Sequence, residues 1–134
     1  MADRRGISGK ALGRIDNPLG TPVFVLHKNI TGEAADVTLN VAVNVDFSFR
    51  IIDVWAVANA DMTASETLTV KSTSGDVTDA FAIGGGSTED TDIFRAGEID
   101  DANMKVSKND DVTVYVDYNT VTVEADLYIL CVRV

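Results

Sequence analysis

The chain has 134 residues, one cysteine, one histidine and a formal net charge of −10. That length fits one domain, which buries roughly two thirds of the surface its unfolded form exposes and so needs no covalent staple. A lone cysteine excludes an intramolecular disulfide, one Cys and one His are too few for a zinc centre, and no apolar run approaches the ~20 residues of a membrane-spanning helix.

The charge is unevenly spread. Residues 1–20 carry Arg4, Arg5, Lys10 and Arg14 against Asp3 and Asp16, whereas the rest of the chain stands at −12. An acidic body repels nucleic acid and anionic membrane and favours a partner that presents positive charge. The start, MADRRGISGK, lacks the apolar stretch of a signal peptide. With one unpaired cysteine, this leads us to expect synthesis and folding in a reducing cytoplasm.

Residues 1–21 read as an extended N-terminal arm. Leu12, Ile15 and Leu19 have helical spacing, but Gly6, Gly9, Gly13, Gly20 and Pro18 oppose a stable helix. Ordering about twenty residues costs on the order of 20–40 kcal/mol. Three aliphatic side chains and four cations in water cannot supply that. An ordered arm therefore needs a surface: its own domain, a sister subunit or another protein.

Residues 22–134 read as a β domain. Val23–Lys28 is the first expected strand, followed by a turn-rich loop over Asn29–Asp36 containing Gly32. Val37, Leu39, Val41, Val43, Val45, Phe47, Phe49 and Ile51 then keep a strict period of two, with mostly polar residues between them. So long a half-buried run is better divided into two strands, joined near Asn44–Asp46. Phe47–Ala58 (FSFRIIDVWAVA) contains the only tryptophan and is apolar on both faces from Ile51 onward, the mark of a central strand.

Asn59–Ser65 is a loop, and Glu66–Thr73 a strand with Leu68 and Val70 facing in. A turn surrounds Gly75. Val77–Ile83 is a short strand or a single helical turn, Gly84–Thr91 a loop, and Asp92–Arg95 a short strand. Glu98–Val106 is ambiguous, with Ile99, Met104 and Val106 as inward candidates. Lys108–Asp111 is a turn. Val112, Val114, Val116 and Tyr118 line one face of the next strand, and Asn119–Thr120 turns the chain. Val121–Cys131 is the last strand, apolar on both faces from Leu127. About eight strands with turn signals every 8–12 residues predict an all-β, antiparallel β-sandwich, jelly-roll-like, with no internal repeat and no interdomain linker.

Residues fit for chemistry are few. His27 lies on a strand without a sequence-evident nucleophile, and Cys131 sits in an apolar strand as a small hydrophobe. Gly84–Gly86 lacks the Lys-Ser/Thr that completes a phosphate-binding loop. Asp90, Asp92, Asp100, Asp101, Asp110 and Asp111 lack EF-hand spacing and read as solvated loop acids. We therefore expect no catalytic residue, metal ligand or cofactor, and no enzyme.

From Phe47 to the C-terminus the phrases RIIDVWAVA, TLTVKST, DVTDAFAI and IFRAGEIDDANMKVSKNDDVTVYV precede a final hydrophobic strand. In this order they resemble the small β-sandwich proteins with which tailed bacteriophages decorate, or cement, the outer face of the capsid. The resemblance spans roughly the last 90 residues. It implies a structural virion protein on the outer capsid surface, a homo-oligomer (trimer favoured), binding the major capsid protein and neither nucleic acid nor membrane. The arm would be the strap, with Arg4, Arg5, Lys10, Leu12, Arg14, Ile15 and Leu19 as capsid-binding residues. Trp55, Tyr128, Leu130 and Val132 are candidates for a subunit interface. The alternative is a carbohydrate- or receptor-binding module of a phage tail or fibre, which would require exposed aromatics, with Trp55 and Tyr115 as candidates.

Overall fold

A computed structural model describes residues 22–62, 66–85, 89 and 91–134. The strands are β1 (Val23–Glu33), β2 (Val37–Ala42), β3 (Phe49–Ala58), β4 (Thr67–Ser72), β5 (Gly75–Asp76), β6 (Phe81–Ala82), β7 (Ile93–Arg95), β8 (Lys105–Val106), β9 (Val112–Asp117) and β10 (Val123–Arg133). The first sheet runs β1-β10-β3-β7, with β8 also on β3. The second runs β2-β9-β4-β5, with β6 also on β4. Every pairing is antiparallel. First strand pairs with last, second with second-last, third with β7 and β8, and β4 with β5 and β6. This nested order, rolled into two facing sheets, is the jelly-roll arrangement that the strand count and spacing predict.

The core lies between the sheets because alternate residues of each strand point inward. On β10, Val123, Ala125, Leu127, Ile129 and Cys131 are fully buried. On β9, Val112, Val114 and Val116 are buried, as are Leu68 and Val70 on β4. Both strands read as central are central: β10 lies between β1 and β3, and β3 between β10 and β7. The division of the long alternating run also holds. The chain leaves the second sheet after Ala42 and re-enters the first at Phe49.

Three local expectations are corrected, at the first strand, at Val43 and over Val77–Ile83. The first strand does not stop at Lys28 but continues to Glu33, into the expected loop. Ile30 supplies the reason, as it packs fully buried in the core. A bulge between Ile30 and Glu33, with Gly32 at φ 71°, keeps the strand paired beyond it. Val43 was expected inward but is exposed, because the β2–β3 connection breaks the period of two and Asn44 takes a left-handed φ of 54°. Ile51 and Val54 both point inward because the register shifts opposite Leu130 and Cys131, which leaves Ile52 exposed. Val77–Ile83 is not one strand: Thr78 forms a single bridge to Ile99, and only Phe81–Ala82 pairs with β4.

Candidate functional site

The register of the first sheet decides what its outer face presents. His27 on β1 is opposite Tyr128 on β10, Tyr128 is opposite Trp55 on β3, and Trp55 is opposite Arg95 on β7. The side chains of this row stack in the same order. His27 and Tyr128 have ring centroids 5.0 Å apart, and Tyr128 and Trp55 lie 5.6 Å apart at 17°. The Arg95 guanidinium sits 5.8 Å from the Trp55 ring and 3.7 Å from Asp53 Oδ2. Cross-strand stacking of this kind contributes about 0.5–1.5 kcal/mol per aromatic pair beyond burial.

Aliphatic side chains extend the face along the strands. Val25 is opposite Leu130 and Val23 opposite Val132, while Val57 is opposite Ile93. Val23, Val25 and Ile93 are 53, 48 and 66 % exposed, and Ile52 is also exposed nearby. Trp55, Tyr128, Leu130 and Val132 are each half-buried. An apolar and aromatic sheet face left open to water is the feature of a soluble domain that most often marks an interface.

Beside the ladder is a polar cluster centred on Asp126. Its carboxylate accepts from Asn29 Nδ2 at 3.0 Å and Asn59 Nδ2 at 2.9 Å, and His27 Nε2 lies 2.8 Å away. The Asn29, Asn59 and His27 hydrogen bonds, in that order, hold the Asp126 carboxyl down at about 2. Two carboxylates of the face therefore have partners within it: Asp53 with Arg95, and Asp126 with His27 and two amides. Arg50, opposite Val132, and Lys105, opposite Arg50, add two exposed cations along the same face.

The four residues expected at a subunit interface, Trp55, Tyr128, Leu130 and Val132, share this face. His27, Arg95, Val25 and Ile93 were not singled out for it. Val25 and His27 lie on β1 and Ile93 and Arg95 on β7, and the strand pairing is needed to place them on this face. Trp55 and Tyr115, the two glycan candidates, are on different sheets. Tyr115 lies on β9 with Lys71 Nζ 5.3 Å from its ring centroid, and burial with the Asp36 and Asp117 carboxylates pushes its phenol up. The arm residues Arg4, Arg5, Lys10, Leu12, Arg14, Ile15 and Leu19 lie outside the described residues.

Other reactive groups serve the fold. Cys131 is buried among core residues, and that burial pushes its thiol up to about 12, far from a thiolate. Glu66 is the one fully buried carboxylate among the described residues. It accepts the backbone N–H of Asn119, and those of Thr120 and Val121 at 3.2 Å each, and so ties the β9–β10 turn to the start of β4. Nothing in the sequence distinguishes it beyond its place at the start of the expected strand Glu66–Thr73. Asp79, Glu98, Asp100 and Asp101 line an open depression of about 570 Å³. Asp100 there accepts the Ala102 N–H at 2.7 Å and shapes the local turn. Among the described residues, no three His, Cys, Asp or Glu side chains come together in a group that would hold a metal ion.

The chain matches no protein-family model and no curated protein. Its functional reading rests on its own residues.

Proposed function

We propose that this chain is a structural virion protein that decorates and stabilises a bacteriophage capsid, bound to major capsid protein subunits on the outer surface. Copies associate through the outer face of the first sheet, a trimer being the favoured assembly. The N-terminal arm is the strap, with Arg4, Arg5 and Lys10 making salt-sensitive contacts to the shell. The protein is made in the host cytoplasm, acts without catalysis or cofactor, and uses neither nucleic acid nor membrane as partner.

The observation that supports this reading is the partly apolar, aromatic outer face bearing Trp55, Tyr128, Leu130 and Val132. Two molecules at −10 repel over most of their surfaces. On this face Asp53 has Arg95 as its ion-pair partner and His27 lies beside Asp126, and association removes exposed Val23, Val25 and Ile93 from water. The ring geometry works against the glycan reading. A sugar-stacking platform needs a ring face open to solvent. Tyr128 stands between His27 and Trp55, and Trp55 between Tyr128 and Arg95, so the rings turn their edges outward.

Two experiments test the proposal. Deleting residues 2–20 is expected to lower affinity for undecorated capsids at least tenfold in co-sedimentation, and an unchanged affinity refutes the strap. Leu130→Lys is expected to convert the oligomer to monomer in analytical ultracentrifugation with its far-ultraviolet spectrum intact. An assembly that persists in this variant removes the sheet face from the interface.

A further inference from the structure

The sandwich leaves part of its core uncovered where β1 and β2 form the edges of the two sheets. Deep in the fold, inward side chains of β3, β4, β9 and β10 are fully buried. Along the side where β1 and β2 form the edges of the two sheets, inward side chains are only partly covered. Phe24 and Leu26 of β1, Val37, Leu39 and Val41 of β2, and Val45 and Phe47 of their connection to β3 all pack against the core while remaining half-buried. A groove of about 370 Å³ opens there, lined mainly by Phe24, Leu26, Val43, Val45, Phe47 and Phe49. Its floor is an edge-to-face cluster, with Phe24 5.5 Å from Phe47 and 5.2 Å from Phe49. Arg133 covers part of the Phe47 ring at 4.4 Å.

We infer that this groove is the seat of the root of the protein's own N-terminal arm, with Leu19 and Ile15 packed over Phe24, Val45 and Phe47. Connectivity is the first argument. The Arg133 N–H donates to the Pro22 carbonyl at 3.0 Å, which anchors the point where the arm joins β1, two residues from Phe24 in the groove wall. Leu19 is three residues from Pro22, within about 10 Å of it even when fully extended, and Ile15 is within about 25 Å. A tethered segment meets the groove at an effective concentration of about millimolar, an advantage that no free partner has.

Charge is the second argument. The segment before residue 21 is net positive, and the rest of the chain is at −12. Asp46 lines the groove. Asp111 accepts the Asn44 N–H at 2.8 Å, and the Asp110 carbonyl accepts the Val45 N–H at 3.0 Å, which sets two more acids beside it. Arg14 falls between the apolar residues Leu12 and Ile15 and can meet this acidic rim, whereas a second acidic copy would be repelled by it. The arm then divides into two functional parts. Its root completes the sandwich, and its tip, with Arg4, Arg5 and Lys10, stays free to reach a partner.

The test uses the isolated full-length protein, with no capsid present, so its outcome is separate from that of the shell-binding experiment. Leu19→Cys is combined with Val45→Cys, or with Thr38→Cys on the opposite, outer face of β2 as control, and each is oxidised with glutathione disulfide. The native Cys131 is buried and does not compete. The Val45 pair is expected to form an intramolecular disulfide in most molecules, and the Thr38 pair in few. Disulfide-linked dimers, no linkage, or equal linkage of the two pairs each overturn the inference. Deleting residues 2–20 is expected to speed amide exchange at Val45 and Phe47 at least tenfold. Unchanged exchange there overturns it as well.

Discussion

At the scale of single residues, two carboxylates hold the structure in opposite ways. Glu66 is fully buried and accepts three consecutive backbone N–H groups of the β9–β10 turn. In Glu66→Gln one acceptor oxygen becomes an NH₂ that faces donors. We expect a loss of about 2–3 kcal/mol, the scale of a buried hydrogen bond to a charged group left unmade, read as a lower urea midpoint with unchanged slope. Asp126 is at the surface, but its three partners favour the ionised form and hold its pKa at about 2, below the ordinary 3.8. A lowered carboxyl pKa stabilises the fold above the unfolded value and loses that contribution as pH falls through the folded value. The wild type is therefore expected to lose stability between about pH 4 and 2. Asp126→Asn should lack that component, which urea titrations at pH 5, 3.5 and 2.5 would reveal.

At the scale of elements, two of the three positive-φ glycines among the described residues, Gly32 and Gly75, sit there for different reasons. Gly32, at φ 71°, shapes the β1 bulge, and a Cβ there meets no atom within 4 Å. Gly75, at φ 146°, starts β5 in the β4–β5 hairpin, and a Cβ there would lie 3.1 Å from Asn103 Nδ2. Gly32→Ala should cost about 1 kcal/mol, from backbone strain alone. Gly75→Ala carries the same strain plus a crowded side chain that itself donates to the Asp76 carbonyl, so its melting temperature should fall further. Asn is tolerated best in such backbone, so Gly32→Asn should melt closer to wild type than Gly32→Val. The His27–Tyr128–Trp55–Arg95 row also belongs to this scale. None of the four is adjacent to another in sequence, and only antiparallel pairing across four strands brings them into one stack.

At the scale of the whole molecule, the two proposed contacts should respond differently to salt. Shell binding by a cationic strap, as proposed, would be electrostatic and screened over about 10 Å at 0.1 M ionic strength. The proposed association through the apolar sheet face would not be. Raising salt from 50 to 500 mM should weaken co-sedimentation with capsids several-fold while leaving the oligomer distribution in ultracentrifugation unchanged. Parallel loss of both would mean that one surface serves both contacts.

The sequence by itself determined the strand class, the two central strands and most inward residues. Alternation of apolar and polar side chains is a local signal that survives in a linear string, so Val112–Val116 and Val123–Cys131 could be assigned before any pairing was known. It also excluded a disulfide, because one cysteine has no partner. Tertiary structure alone decided how far β1 runs, since Ile30 is held by core contacts from distant strands and Gly32 accommodates the bulge beyond it. It decided that Trp55 and Tyr128 stack while Tyr115 lies on the other sheet, and that Glu66 caps a turn more than fifty residues away. These outcomes depend on register and on which sheet each strand joins. Both are set by long-range packing, which no short window of sequence contains.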